Sequence, residues 1–431
     1  MDETVSAAEG QNAATLDQFG APVALQNRIS SLDFIRGLAV MGILAANIVA
    51  FGQPPSAYFW PEAFLVDASD PGGWQWIAQF ILIDGKMRGL FTLLFGAGMF
   101  LFMERAWERG SSRWLQMWRL FLLLGFGLFH FYLIWFGDIL SMYAIIGFGA
   151  VACMRWQPGT QIRAGLFIYT LGCIAWGGLF LMQYLIVDTG VFADQPWVAE
   201  ARGEIVQSGE TQQAKNAKFI VHMKSGDYTA LIAERFKQQW FLPFVNPLFL
   251  FFETFSLMLI GMGLYRQGFF SGDFTPSKMK LWGWAGVIVG GGLSLAIGLF
   301  VKSGGFSFVA VNAAFIGWSM VPRLMMVLGL AALLVEYSKG ATGWLADRVS
   351  AAGRAAFTNY LGTSVVMMIV FQGWGLGLFG QLNRPLLYLV TVLTWVLMLA
   401  WSKPWLDRFR YGPLEWLWRC LTYRKAFPLR R

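Results

Sequence analysis

Apolar runs long enough to cross a bilayer as helices recur from residue 32 to residue 402, and no soluble fold accommodates that pattern. A hydrocarbon core about 30 Å thick takes about 20 helical residues. The charge content agrees: 13% of the 431 residues are charged and 56% hydrophobic, where a globular domain carries about 25% charge. The expected fold class is therefore all-α, a polytopic transmembrane helical bundle of about ten spans. The runs are 32–52, 88–105, 114–136, 138–155, 163–187, 243–265, 280–301, 311–337, 356–379 and 385–402. Pro322 is expected to kink the eighth. The stretch Trp74–Ile83 precedes the second, either lying in the membrane interface or dipping inward.

The net charge of +8 does not point to nucleic acid, because membrane proteins place basic surplus in cytoplasmic loops. With a cytoplasmic N-terminus, Arg105, Arg109, Arg113, Arg119, Arg155, Arg163, Arg266, Lys278, Lys339, Arg348 and Arg354 share one side with the basic tail. The opposite segment 53–73 holds no Lys or Arg. Both termini are thus expected in the cytoplasm. The chain divides into a polar N-terminus, 1–27, expected disordered and lacking the apolar core of a signal peptide; a membrane half, 28–187; a polar extracytoplasmic loop, 188–240; a second membrane half, 241–402; and a basic, aromatic tail, 403–431. The loop carries thirteen charges of both signs and is expected either to cap an outward cavity or to form a solvated, partly helical connector. Three scattered cysteines and two histidines provide no metal-ligand spacing, so no metal is expected. Walker, nucleophile-elbow and zincin motifs are absent. The glycines of GVIVGGGLSLAIG read as a close helix–helix contact rather than a phosphate cradle.

Ionisable groups at membrane depth are costly and mark sites. Asp33 and Arg36 share a helix face at the entry of the first run, as a salt bridge or as part of a substrate site. Asn47 lies near the outer end of that face. Asp84, Lys86 and Arg88 put basic residues on the otherwise bare side, as a pocket wall or as snorkelling side chains. His130 and Asp138 flank the turn between the third and fourth runs. A carboxylate-held imidazole there is either a general base or a structural hydrogen bond. His222 reads as a surface residue. Glu253 must face the bundle, to pair with Lys86, Arg88 or Arg323 or to bind a proton, and Arg323 needs a counter-charge at that depth. Asn359, in the ninth run, joins the candidate substrate-binding set.

These clusters carry a resemblance. RISSLDFIRGLAVMGILAANI, DGKMRGLFTLLFGAG, HFYLIWFGDILSMYAIIG, GRAAFTNYLGTSV, GLGLFG and WLDRFRYGPLEWLWRCLTY resemble the YeiB-like bacterial inner-membrane proteins over nearly all residues from Arg28 onward. That implies a multi-pass protein of the bacterial inner membrane. The opening motif is also similar to that of the transmembrane acyltransferases, the envelope O-acyltransferases and heparan-α-glucosaminide N-acetyltransferase. That likeness implies about ten spans, a core within 28–187, a cytoplasmic acyl-CoA co-substrate and a sugar or similar acceptor on the far side. The O-acyltransferases carry a histidine where this chain has Asn47. The lysosomal enzyme has asparagine there and its working histidine soon after. Here no histidine falls between Asn47 and His130, so the resemblance makes His130 with Asp138 the candidate base.

Two readings follow. In the first, acyl-CoA enters from the basic face, His130 activates an envelope glycan, lipid or metabolite acceptor, and Asn47, Lys86 or Arg88 steadies the oxyanion. In the second, Glu253, Arg323 and the Asp84–Arg88 cluster line the path of a transporter or flippase-like protein. A non-catalytic accessory subunit docking through the aromatic tail is a further alternative. Membrane lipids are expected partners in each case, and an oligomer is compatible with all three.

Overall fold

The computed structural model describes residues 30–66 and 73–431. The expectation for residues 1–27 lies outside the described residues. Helices account for the architecture, and among the described residues the only β-type pairing is an isolated bridge between Phe409 and Arg430. In chain order the helices are α1 (Ser30–Gly52), α2 (Trp74–Leu82), α3 (Lys86–Glu108), α4 (Trp114–Phe129), α5 (Leu140–Ala152), α6 (Pro158–Tyr184), α7 (Pro196–Ser225) and α8 (Tyr228–Gln238). They continue with α9 (Leu242–Phe249), α10 (Phe251–Arg266), α11 (Pro276–Ser303), α12 (Phe308–Asn312), α13 (Met320–Gly340), α14 (Trp344–Arg354), α15 (Ala356–Phe371), α16 (Arg384–Arg408) and α17 (Pro413–Tyr423). Seven helices are long and apolar enough to cross a membrane, or nine if each of two bent pairs is one span. The chain is a helical membrane protein.

Each expected run contains a helix, although that of 356–379 stops at Phe371, and four are not simple rods. The run 138–155 yields the thirteen-residue α5 and a tight turn, about 20 Å at 1.5 Å per residue and short of a full crossing. The run 243–265 bends by 71° between α9 and α10. Pro247 inside α9 withholds a hydrogen-bond donor just before the bend. The 88° bend between α14 and α15 arises because α14, with its charged Asp347, Arg348 and Arg354, is a helix rather than a loop. Pro322 does not kink the eighth span midway. A π-helical turn, Ala313–Trp318, intervenes, and the proline occupies the first turn of α13, where its missing N–H leaves no intrahelical partner unmet.

Glycines let backbones touch. A Cβ on Gly286 would stand 2.6 Å from the Met325 carbonyl oxygen, and one on Gly329 would stand 2.7 Å from that of Gly283. The glycine-rich stretch of α11 is thus a seam against α13, although Gly291 and Gly292 meet nothing within 4 Å. Gly96 and Gly261 join α3 to α10 in the same way, and Gly37 and Gly353 join α1 to α14. The stretch before Asp84 packs inward: Trp76, Ile77 and Phe80 are buried with Val301, Ala310 and Ala314.

The polar segment forms α7 and α8, which lie on the Asn47 end of the bundle. Asn216 bonds Ser56, Phe219 meets Phe136 edge-on at 5.7 Å, and Gly373 donates to the Met223 carbonyl at 2.9 Å. The tail is folded as well. Trp118 donates to Leu421 O and Trp418 to Arg119 O, both at 3.1 Å.

Candidate functional site

Among the cavities of the described residues, two gather the charged groups of the bundle. At the basic end, about 360 Å³ is enclosed by α3, α4, α14, α15 and α17, with Arg36, Arg105, Arg109, Arg119, Arg354 and Arg419 at its wall and Glu415 among them. Its deeper lining is apolar, from Phe91 and Phe95 to Leu123 and Phe357. The Arg119 guanidinium lies between the rings of Phe102 and Trp418, 4.2 Å from each centroid. A mouth rich in guanidinium over an apolar shaft suits an anionic head with an apolar tail.

The tail completes this wall through a contact that the sequence reading missed. The Glu415 carboxylate accepts from the Phe357 and Thr358 amides at 2.7 and 3.1 Å and from Thr358 Oγ1 at 2.5 Å. A residue of α17 therefore caps α15 at the 88° bend and satisfies amides that lack an intrahelical partner. Burial pushes the Glu415 carboxyl above its usual range, and the donated hydrogen bonds pull it back. Two quoted motifs, GRAAFTNY and GPLEW, meet here. A raised folded-state pKa favours the neutral acid, so Glu415 contributes most below its unfolded pKa and loses that contribution as pH rises through the folded one. Glu415→Ala is expected to lose about 1–2 kcal/mol, read as a lower thermal midpoint. Glu415→Gln is expected to stay near the parent and to flatten this part of the pH dependence. Equal midpoints for the parent and the alanine variant at every pH would remove the cap.

The second cavity, about 310 Å³, opens toward the Asn47 end. Five of the candidate residues line it: Asn47, Arg88, Asp138, Glu253 and Arg323. Glu253 pairs with both arginines through the same oxygen, Oε2, at 2.8 Å from Arg88 Nη2 and 2.7 Å from Arg323 Nη1. Arg323 also donates to Phe315 O at 2.6 Å and to Ser319 Oγ at 2.7 Å. The Arg323 side chain is 5% exposed and that of Glu253 6%, whereas Arg88 retains 22%. Gly85, at φ +73°, lets the chain turn tightly into α3 against the Arg323 guanidinium.

The two cavities nearly meet. On α3 the second ends at Arg88 and the basic one begins at Phe91; in the next strand of contacts Ile139 lines one and Leu140 the other. Between them Thr92 Oγ1 and the Tyr143 hydroxyl lie 2.7 Å apart, one donating to the other, and stand 2.8 and 3.3 Å from Arg88 O. The Tyr360 hydroxyl donates to Gly137 O at 3.4 Å and accepts from Ile139 N at 3.2 Å.

The remaining candidates sit behind these walls. His130 is fully buried, with Nδ1 2.9 Å from Asp138 Oδ1 and Nε2 2.9 Å from Ser364 Oγ. Asp138 Oδ2 accepts from Ser141 N and Oγ, both at 2.7 Å. The Asp138 side chain is itself buried, so the pair forms the cavity's backing. Ser364 falls inside the GRAAFTNYLGTSV motif, yet a lone serine in an apolar run gives no sign of its partner. Lys86 is buried, donating to Phe80 O with its ammonium 5.0 Å from that ring. It neither snorkels nor lines the second cavity. Asp84 accepts from Gln79 Nε2 at 3.1 Å, and Arg384 donates to the same glutamine's oxygen. This links α2 to α16 instead of forming a pocket wall. Asp33 holds Arg36 at 3.1 Å. Asn359 donates to Ala352 O and Ser402 Oγ and accepts from Trp401 Nε1. It ties helices together and lines neither cavity.

A family model described as a protein of unknown function, DUF418, matches residues 264–425. The uncharacterised protein YxaH of Bacillus subtilis (strain 168) is 30% identical over 420 residues, covering 95% of this chain and 97% of that protein. The uncharacterised YeiB of Escherichia coli (strain K12) is 30% identical over 420 residues, covering 92% and 97%. An uncharacterised 39.9 kDa protein from the amylase 3′ region of Bacillus acidopullulyticus is 24% identical over 413 residues, covering 95% and 97%. No solved structure matches the chain.

Proposed function

This chain belongs to the family of YeiB and YxaH, the DUF418 proteins, and from that premise we propose that it moves an acyl group across a membrane. The donor is a cytoplasmic acyl-CoA and the acceptor an envelope glycan, lipid or metabolite, in a bacterial inner membrane with both termini cytoplasmic. The observation that carries this reading is the pair of adjoining cavities, one basic and amphiphilic, one polar, divided by a layer containing Thr92, Tyr143 and Tyr360. Arginines at the mouth take the phosphates of the coenzyme, and the acyl chain lies along Phe91, Phe95 and Leu123. The acceptor hydroxyl waits in the second cavity. Its oxygen forms the new ester bond as the thioester C–S bond breaks. The hydroxyl proton passes to the Asp138–His130 couple and ends on the departing thiol. Buried behind the wall, His130 is a positioning residue that holds Asp138 and shares the proton it takes up.

Titration calorimetry in detergent with palmitoyl-CoA, and with free CoA as comparator, tests the donor half. Saturable micromolar binding is expected, weakened about tenfold or more by joint Arg105→Gln, Arg109→Gln and Arg354→Gln substitution. His130→Gln is expected to preserve binding and thermal stability while abolishing transfer or flattening its pH profile. Unchanged turnover and profile in that variant would overturn the role of the couple. The end-to-end cavities also suit a transporter. Flux through sealed vesicles without an acyl donor, together with silence in the calorimeter, would select that reading.

A further inference from the structure

We propose that the second cavity is built for a hydroxylated oxyanion, a phosphate or carboxylate group with a hydroxyl close beside it. Charge is the first argument. Two guanidiniums converge on one oxygen of Glu253, which leaves that cluster at +1, with Arg88 the more accessible arginine; the other carboxylate of the wall, Asp138, is taken up by His130 and Ser141. Helix direction is the second. The first residues of α3, α10 and α13 bring Arg88, Glu253, Met320 and Arg323 to this one cavity, so three helices turn their positive ends toward it.

The third argument comes from atoms left without partners. Glu253 Oε1, Trp135 Nε1 and Trp176 Nε1 are buried and make no hydrogen bond among the described residues, and all three residues line this cavity. Buried polar groups are nearly always satisfied, so an acceptor and two donors on residues that wall one cavity point to its ligand. The indole N–H groups and Arg88 suit the oxygens of an anion. Glu253 Oε1 accepts a hydrogen and is repelled by a bare anion, so the ligand must also offer a hydroxyl there. An anion lacking that hydroxyl leaves the oxygen unpaired.

As a description of the acceptor, this inference rests on the acyl-transfer reading. As a binding site it needs no acyl donor, so the two fail separately.

The test uses the full chain in phosphatidylcholine nanodiscs above about pH 8, where phosphate monoesters are dianions, titrated with sn-glycerol 3-phosphate and with methyl phosphate, which has no alcohol hydroxyl. Glycerol phosphate is expected to bind roughly tenfold or more tightly than methyl phosphate. Arg88→Gln should weaken both by at least about tenfold. Glu253→Gln, which retains an oxygen for the two arginines, should collapse the preference between them. Trp135→Phe keeps an aromatic ring to stack on Phe51 while removing the indole N–H together with part of the ring. It should weaken both ligands several-fold and carries the test if the glutamine variant does not fold. Repeating the titration in phosphatidylglycerol nanodiscs separates the sources. Competition assigns the site to a lipid headgroup, and an unshifted curve assigns it to a soluble phosphate. No saturable binding at millimolar concentration, equal affinity for the two phosphates, or a parent-like Arg88→Gln would each overturn the proposal.

Discussion

Gly353→Ala is expected to remove folded protein from the membrane fraction. A Cβ at Gly353 would land on the Asp33 carbonyl oxygen and stand 2.7 Å from the Gly37 amide nitrogen, and a Cβ at Gly37 would collide with the Val349 carbonyl. Both sides of this crossing are backbone, so no side chain can swing aside, and a close-packed interior relaxes little. The cost should reach about 3 kcal/mol, the upper part of the range for overpacked cores. The crossing also sets the basic cavity, since Arg36 and Arg354 stand next to the two glycines on its wall. Gly291→Ala and Gly292→Ala are the controls. Neither added methyl meets anything within 4 Å, and alanine favours a helix over glycine by up to about 1 kcal/mol. Their thermal midpoints in detergent should equal or exceed the parent's. A Gly353→Ala protein with parental yield and midpoint would show that the crossing can open.

The helical bundle was legible because its signal is repeated: apolar runs of spanning length need no partner to be recognised. The same holds for Asp33 with Arg36, three residues apart, and for His130 with Asp138 across a short turn. Glu253 and Arg323, seventy residues apart in sequence, were matched because each was too costly to bury alone. The pairing depth was readable, but a single carboxylate oxygen shared with Arg88 was not. Ser364, Glu415, Trp135 and Trp176 escaped for a different reason. A serine in an apolar run, a glutamate in a basic tail and two tryptophans among 21 are ordinary in their local sequence. Only the fold brings Ser364 to His130 and Glu415 to the start of α15. Lys86 misled in the opposite sense. Its place beside Arg88 suggested a shared site, yet two residues along one helical turn point to different sides, Arg88 to the cavity and Lys86 into the core. The bend at Leu250 was hidden because an apolar window reads the same whether its helix is straight or bent, and the other because the charged α14 does not read as part of a span.

Glu253→Leu should be the most damaging single change at the second cavity, with a loss of about 3–5 kcal/mol. The reason lies in the count of charges. Removing the carboxylate leaves two guanidiniums in a low-dielectric interior, repelling one another and stripped of their shared acceptor. Arg88→Gln leaves Glu253 paired with Arg323 and gives up only the more exposed partner, so it should cost far less. The combined Glu253→Leu, Arg88→Met and Arg323→Met protein removes every charge at once. A buried ionic cluster replaced by apolar residues is often no less stable than the original, so much of the lost stability should return. Thermal melts in detergent distinguish these outcomes. If the triple variant melts as low as Glu253→Leu, the damage came from lost packing and the charge argument is wrong. If it recovers while glycerol phosphate binding stays absent, stability and recognition separate cleanly. The bundle could then fold with an apolar cluster, and the reason for keeping two arginines on one carboxylate is what they hold ready for a ligand.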